Sequence, residues 1–246
     1  METVKAILFD TFGTVVDWRG SVAGEIERLA REKGIDDIDG DAFARAWRAG
    51  YQPGMEEVRS GRRPWTSIDV VHRERLDAIV GDFGLAGLSD GERDDLNRAW
   101  HRLDPWPDSL PGLRRLHQRF ILGPLSNGST QLLINIAKRV GLPWDVIGSS
   151  DAFRSFKPQA EMYLGAVSML DMEPGEVMMA AAHNDDLKHA QSHGMRTAFI
   201  CRPYEYGVDQ VKDLEATGDW DFVVDGIDEL ADRLLSSGGS SFSAGK

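Results

Sequence analysis

The sequence predicts an α/β fold, a parallel-sheet core carrying an inserted helical cap domain. Three features point there. Val4, Ala6, Ile7, Leu8 and Phe9 run straight into Asp10, an apolar segment suited to a central strand buried on both faces. From about Trp18 to Leu103 the apolar residues recur only at helical spacing. Beyond a turn-rich linker at 104–112, short apolar runs alternate with helical segments, the pattern of βαβ units with right-handed crossovers.

Taken in order, Gly13 and Thr14 break the first strand. Val22, Ile26 and Leu29 then fall at i, i+4, i+7, and Phe43, Trp47 and Tyr51 at i, i+4, i+8, with Asp41 placed to cap. Ile68, Val71, Leu76, Ile79 and Val80 follow Thr66, and Leu96, Ala99, Trp100 and Leu103 follow Ser89 and Asp90. The segment 18–103 therefore reads as the cap, with 1–17 and 104–235 as the Rossmann-like core. Further strands are expected at 120–125, 146–149, 177–182, 197–201 and 222–224. Pro124 resists, because it cannot donate to a ladder, and the second strand is expected to end early or bend there. The tail at 236–246 is rich in Ser and Gly and reads as flexible.

Composition narrows the partners. With 40 acidic against 28 basic residues the formal net charge is −12, leaving no basic excess for a nucleic-acid backbone. No apolar run approaches the roughly 18 residues that span a bilayer. The first ten residues are too short and too quickly acidic for a secretory signal. Cys201 is the single cysteine, so neither an internal disulfide nor a Cys-rich zinc site is expected. A cytoplasmic protein follows.

Ligands of open parallel sheets bind outside the carboxyl ends of the strands. The polar residues expected there are Asp10, Ser126 with Asn127, Lys157, and the run His183-Asn-Asp-Asp186. A helical insertion after strand one would cover them. Asp10 alone is ambiguous, since an Asp after a strand most often caps a turn.

Four segments in order change that balance. Phe9-Asp10-Thr-Phe12-Gly-Thr14-Val-Val-Asp17, Leu125-Ser-Asn-Gly128, Lys157-Pro158 with Tyr163, and the acidic run after the fourth strand resemble the haloacid dehalogenase superfamily. Within it they are most similar to the type II 2-haloacid dehalogenases, over nearly the whole chain. Phosphatases of the superfamily carry a second Asp where this chain has Phe12, and a Mg²⁺-binding carboxylate where it has Ala182. Asp10, Asp185 and Asp186 alone make a poor octahedral cage, which disfavours metal-dependent phosphoryl transfer.

The resemblance implies metal-free hydrolytic dehalogenation of a short 2-haloalkanoic acid, with no cofactor. Asp10 would displace the halide and form an ester that water later cleaves. Ser126 and the N–H groups of Thr11 and Phe12 would hold the substrate carboxylate, and Lys157 would pair with Asp10. Arg48, with Asn127 as a second donor, would receive the halide, and Phe12 and Trp65 would wall the pocket. Asp186 matches the position of the water-activating base, while His183 is a second candidate for that role. Asp185 is expected to face away as a helix N-terminal charge.

One loop departs from the family. Its usual Ser-Ser-Asn, two residues, Asp reads here Ala181-Ala-His183-Asn-Asp-Asp186, so a hydroxyl, an amide and an aromatic wall are replaced. A smaller or more polar pocket suggests fluoride as a leaving group, with fluoroacetate among the substrates. The family also implies a homodimer, for which the Trp-rich cap offers a face. His72, His101, His117, His189 and His193 read as surface or packing residues. The loop 202–207 reads equally as a border of the site or an ordinary loop. Rival readings are a superfamily phosphatase, a hydrolase acting on another 2-substituted carboxylate, and a non-catalytic anion-binding or partner-binding protein.

Overall fold

The computed structural model describes residues 4–35 and 37–236. Strand β1 (Ala6–Phe9) is fully buried, and its side chains alternate between two layers. Ile7 and Phe9 face one hydrophobic cluster and Ala6 and Leu8 another. A two-residue strand β2 (Val16–Asp17) leads into five helices: α1 (Trp18–Lys33), α2 (Gly40–Arg48), α3 (Tyr51–Arg59), α4 (Ile68–Ile79) and α5 (Asp90–Asn97). Strand β3 (Asp104–Pro105) returns antiparallel to β2 and closes this excursion.

The chain then runs through α6 (Ser109–Leu116), β4 (Ile121–Ser126), α7 (Thr130–Val140), β5 (Gly148–Ser149), α8 (Ser150–Phe153) and α9 (Ala160–Met169). It ends through β6 (Val177–Ala181), α10 (Asn184–Ser192), β7 (Arg196–Ile200), β8 (Phe222–Val224) and α11 (Ile227–Ser236). The main sheet has the order β5-β4-β1-β6-β7-β8 with every pairing parallel. The chain builds outward from β1 through β4 and β5, then crosses back to β6. That reversal beside β1 is the topological switch point, and it places the C-terminal tip of β1 at the crevice.

Pro124 does not end its strand. Leu122 turns both its N–H and its C=O toward Asp145 and Val146, away from β1. By alternation Pro124 faces the same way, so its missing N–H costs no bond to β1, and β4 continues to Ser126. The helix expected through Phe43, Trp47 and Tyr51 is two helices, broken between Arg48 and Tyr51. Pro53 falls in the first turn of α3, where an N–H has no intrahelical acceptor anyway. The cap of α2 is Asp39, whose side chain accepts from the Ala42 N–H, and not Asp41, which pairs with Arg19 and Arg45. Of the tail expected over 236–246, Ser236 closes α11 and 237–246 lie outside the described residues.

The inserted helices share one apolar cluster with the sheet face bearing Ile7 and Phe9. Trp18 stacks on Trp100 and Trp47 meets Trp100 edge-on inside it, all at most 1% exposed, so they are interior packing and supply no outer face for a dimer. Polar ties fix the two parts together: the Ser129 hydroxyl donates to Asp69 at 2.7 Å, and His101 bridges Asp69 and Asn135.

Candidate active site

Asp10 lies one residue beyond β1. Its N–H still donates to the Ala180 carbonyl at 3.0 Å, which extends the ladder and fixes the carboxylate over the switch point. The turn that follows returns Thr14 beneath it. The Thr14 hydroxyl donates to Asp10 Oδ2 at 2.9 Å and itself accepts from the Ala182 N–H at 2.9 Å. Ala182, one residue beyond β6, thus offers only a methyl side chain and orients the threonine through its backbone N–H.

Lys157 approaches the other carboxylate oxygen. Its ammonium donates to Asp10 Oδ1 at 3.2 Å and to Asp186 Oδ2 at 2.6 Å, and the residue is 7% exposed. Its backbone is held equally firmly, the N–H by Asn127 Oδ1 at 2.7 Å and the carbonyl by the Arg59 guanidinium of α3 at 2.7 Å. Asp186, in the first turn of α10, takes its second bond from the Tyr163 hydroxyl at 2.7 Å. Asp185 beside it turns outward, its side chain 80% exposed.

On the opposite flank His183 places Nδ1 3.2 Å from Asp10 Oδ2 and Nε2 2.9 Å from Glu205 Oε2. Glu205 is 1% exposed, and its other oxygen accepts from Trp18 Nε1 at 3.0 Å.

These neighbours set the protonation states. Burial pushes the Asp10 carboxyl upward, but the Lys157 charge and the bonds from His183 and Thr14 outweigh it and hold the group well below the usual carboxylate range. Burial works against the Lys157 ammonium, and Asp10 and Asp186 more than restore it, so its pKa is raised. The same contest at His183, burial against the charges of Glu205 and Asp10, leaves its pKa well above the ordinary value. Tyr163 is pushed up by burial and by Asp186, and stays protonated as a donor.

A cavity of about 560 Å³ opens above this group. Asp10, Phe12, Arg48, Asn127, Lys157, His183 and Asp186, all singled out from the sequence, line it together. Arg48 comes from the last turn of α2 and lies among the rings of Tyr51, Trp18, Phe12 and Trp100, its guanidinium carbon 3.7 Å from the Tyr51 centroid. Its Nη1 is buried with no hydrogen-bond partner among the described residues. Asn127 has its side-chain carbonyl oxygen committed to the Lys157 N–H.

Three expectations fare differently. Thr11 and Ser126 are buried but are not part of the cavity wall, and the Ser126 hydroxyl accepts from the Gly128 N–H at 3.1 Å. Trp65 is not part of the wall either; it packs against Phe156 with centroids 4.9 Å apart, and Tyr51 closes the cavity with Phe12. His189, read as a surface or packing residue, lines the cavity.

The sequence places Thr14 only as a strand breaker, Tyr51 only in the apolar stripe of a cap helix, and Glu205 and Tyr206 only in a loop that reads equally as a border of the site or an ordinary loop. Thr14 carried a signal, standing four residues after Asp10 inside the first motif. Glu205 and Tyr206 lie just beyond the end of β7, where the strand-end rule directs attention, but nothing local separates them from an ordinary loop.

Among the described residues, no group of three or more His, Cys, Asp or Glu side chains is arranged to hold a metal ion, and the cation between Asp10 and Asp186 is the lysine ammonium. No described helix is long and apolar enough to cross a membrane.

Comparison with known proteins points to one family. Residues 4–194 match the family of haloacid dehalogenase-like hydrolases. The (S)-2-haloacid dehalogenase of Xanthobacter autotrophicus is 30% identical over 81% of this chain and 76% of its own length. Among solved structures, the defluorinating L-2-haloacid dehalogenase Rha0230 superposes with a TM-score of 0.91 at 48% identity, covering 94% of this chain and 95% of that one. The L-2-haloacid dehalogenase PA0810 superposes with a TM-score of 0.91 at 44% identity, covering 95% and 99%. With three-quarters of its length inside the family match and a fold shared nearly end to end, the chain belongs to the haloacid dehalogenase-like hydrolases.

Proposed function

We infer that the chain hydrolyses the carbon–halogen bond of short 2-haloalkanoic acids, with the (S) enantiomer preferred, through an ester on Asp10. The observation that carries this reading is the pairing, across one cavity, of an ionised strand-tip carboxylate with an arginine whose Nη1 is buried and without a hydrogen-bond partner among the described residues. The first is a nucleophile held charged at neutral pH. The second offers a donor, Nη1, that has no acceptor among the described residues until an anion arrives.

Asp10 Oδ1 attacks C2 and the halide departs on the far side, toward Arg48. The oxygens divide the work. Oδ2 already accepts from Thr14 and from His183, whereas Oδ1 accepts from Lys157 at 3.2 Å. The less engaged oxygen bonds to carbon, and the other becomes the ester carbonyl. The substrate carboxylate is drawn by Lys157 and by the backbone N–H of Phe12, and the rings of Phe12 and Tyr51 exclude water from the displacement. Asp186, held by Lys157 and Tyr163, takes the proton of the attacking water. His183 does not suit that part, since both of its nitrogens face carboxylates and its raised pKa keeps it protonated.

Fluoride release belongs to the proposal. A cation wrapped in aromatic rings suits a small, hard anion once water is shut out, and the 48% identical neighbour is described as defluorinating. Two finer points also belong here, a cytoplasmic location and a homodimer, the latter testable by light scattering.

The experiment is halide release from (S)- and (R)-2-chloropropionate, chloroacetate and fluoroacetate, beside a phosphomonoester with and without Mg²⁺. Release from the (S) acid and from fluoroacetate is expected. Metal-dependent phosphatase activity without halide release would overturn the reading.

A further inference from the structure

We propose that Glu205 is a positioning residue for ester hydrolysis: by pairing with Nε2 it fixes His183 as a cationic donor on Asp10 Oδ2, the oxygen that carries the oxyanion. The inference rests on the reading above and adds a role for a loop that the catalytic motifs leave out.

The geometry argues for more than packing. Glu205 is a carboxylate with 1% exposure, and burying a charge is costly unless each oxygen is used. Both are used, one by Trp18 and one by His183. The approach is possible only because residue 13 is glycine. Gly13 sits at φ +85°, and a Cβ built there would overlap the Glu205 carboxylate. A turn in the nucleophile's own motif and an acid some 190 residues later are thus fitted to one another.

The charged and titratable groups around the imidazole are few. Asp10 faces it from the tip of β1, and Glu205 and Tyr206 from the loop after β7. Lys157 lies beyond Asp10, Arg48 reaches down from α2, Asp186 stands across the cavity, and the solvent-exposed Asp185 and Lys212 pair at its mouth. Glu205 and Asp10 are the two in contact, and both favour the imidazolium.

In the hydrolytic step, water adds to Cγ of the ester, giving one proton to Asp186 while the carbonyl π pair moves onto Oδ2. There it meets the Nδ1–H of His183 and the Thr14 hydroxyl, an oxyanion site formed by one charged and one neutral donor. Collapse re-forms the carbonyl and breaks the Cγ–Oδ1 bond. The departing alkoxide takes the proton from Asp186, yielding the 2-hydroxy acid. Asp10, left as a carboxylic acid, loses its proton to solvent, so each turnover releases one halide and one proton.

Glu205→Gln isolates the charge. Trp18 can only donate, so the glutamine must turn its oxygen there and its amide toward His183 Nε2. That nitrogen must then accept, which makes the imidazole neutral while it still donates from Nδ1. Chemical quench and mass analysis of the Asp10 peptide follow ester formation and decay separately. In Glu205→Gln the decay is expected to slow by roughly tenfold or more, with formation changed far less. The alkaline limb of the decay rate is expected to move to lower pH. Nitrogen-15 titration of His183 in the unliganded wild type supplies a readout that needs no variant, and both nitrogens should remain protonated above neutral pH. An ester that decays in Glu205→Gln at the wild-type rate with an unmoved limb, or a wild-type His183 neutral below pH 7, overturns the inference alone. Failure of the wild type to form any Asp10 ester overturns the function beneath it.

Discussion

The two flanks of Asp10 are built from similar parts arranged to opposite ends. On one side a cation, Lys157, lies between two carboxylates, Asp10 and Asp186. On the other, a second cation, His183, lies between Asp10 and Glu205. The difference is exposure to the reaction. Asp186 lines the cavity and can take a proton from water, while Glu205 is sealed behind Trp18 and Gly13 and can act only through its neighbour. One flank therefore keeps Oδ1 charged and prepares the water. The other holds Oδ2.

That division is tested first by removing what the flanks share. Asp10→Asn is expected to abolish halide release, a fall of at least about 10⁴-fold, with an unchanged circular dichroism spectrum. Residual turnover near the wild-type rate would remove the nucleophile from the account.

Asp186→Asn strips the base from the Lys157 flank. Turnover is expected to fall by about 10²- to 10⁴-fold with the Asp10 ester accumulating, as seen in the mass of the quenched protein. Thr14→Val weakens the Oδ2 side and should also slow hydrolysis, by about 10²-fold. If Thr14→Val instead slowed ester formation alone, the assignment of the two oxygens would be reversed.

The pH dependence sharpens the contrast further. Asp10 is held below its ordinary pKa, whereas Lys157 and His183 are held above theirs. Ester formation, the step that uses the Asp10 carboxylate, should therefore persist well to the acid side of Asp10's unfolded pKa, and turnover should fail on the alkaline side as His183 and Lys157 lose protons. Stability follows the same signs. The contribution of His183 is complete below its unfolded pKa and lost as pH rises through the folded value. That of Asp10 is present above its unfolded pKa and lost as pH falls through the folded one. Thermal midpoints measured from neutral to alkaline pH should decline, and a midpoint that rises there would contradict the paired cations.

The smallest effect is expected at Asp185, adjacent in sequence to Asp186 but facing solvent. Asp185→Asn should leave halide release within about twofold and stability within about 0.5 kcal/mol. The contrast between neighbours checks that burial, and not sequence position, sets the role.

The flank bearing Lys157 was legible in the sequence and the Glu205 flank was only half so. Asp10, Lys157 and Asp186 each belong to a motif with its own local signature: a buried strand ending in an acid, a Lys-Pro pair, an acidic helix start. His183 stood out as a departure from the family's loop. Glu205 did not, because what makes it functional is a contact with Trp18, 187 positions away, and a glycine that admits it. The fold shows the same limit. The parallel strands were readable because burial on both faces writes a continuous apolar run, and β4 was doubted only because alternation of Pro124 away from β1 is invisible without a partner strand. The α2–α3 break was hidden since Phe43, Trp47 and Tyr51 keep helical spacing across it. The two-residue strands β2 and β3 carry too few residues for any period to register. Thr11, Ser126 and Trp65 were placed by motif or by type, and their burial away from the cavity follows from turns and packing that spacing does not encode.

The central claim is that Asp10 bonds to carbon and is itself the site of hydrolysis. The most direct measurement is a single turnover in water enriched in oxygen-18, with enzyme in excess over a 2-chloro acid, followed by mass analysis of the peptide containing Asp10 and of the hydroxy acid. Heavy oxygen in the Asp10 carboxylate with an unlabelled product hydroxyl is the predicted result. Label in the product alone, with an unlabelled peptide, would mean that water attacks carbon directly and would contradict the account.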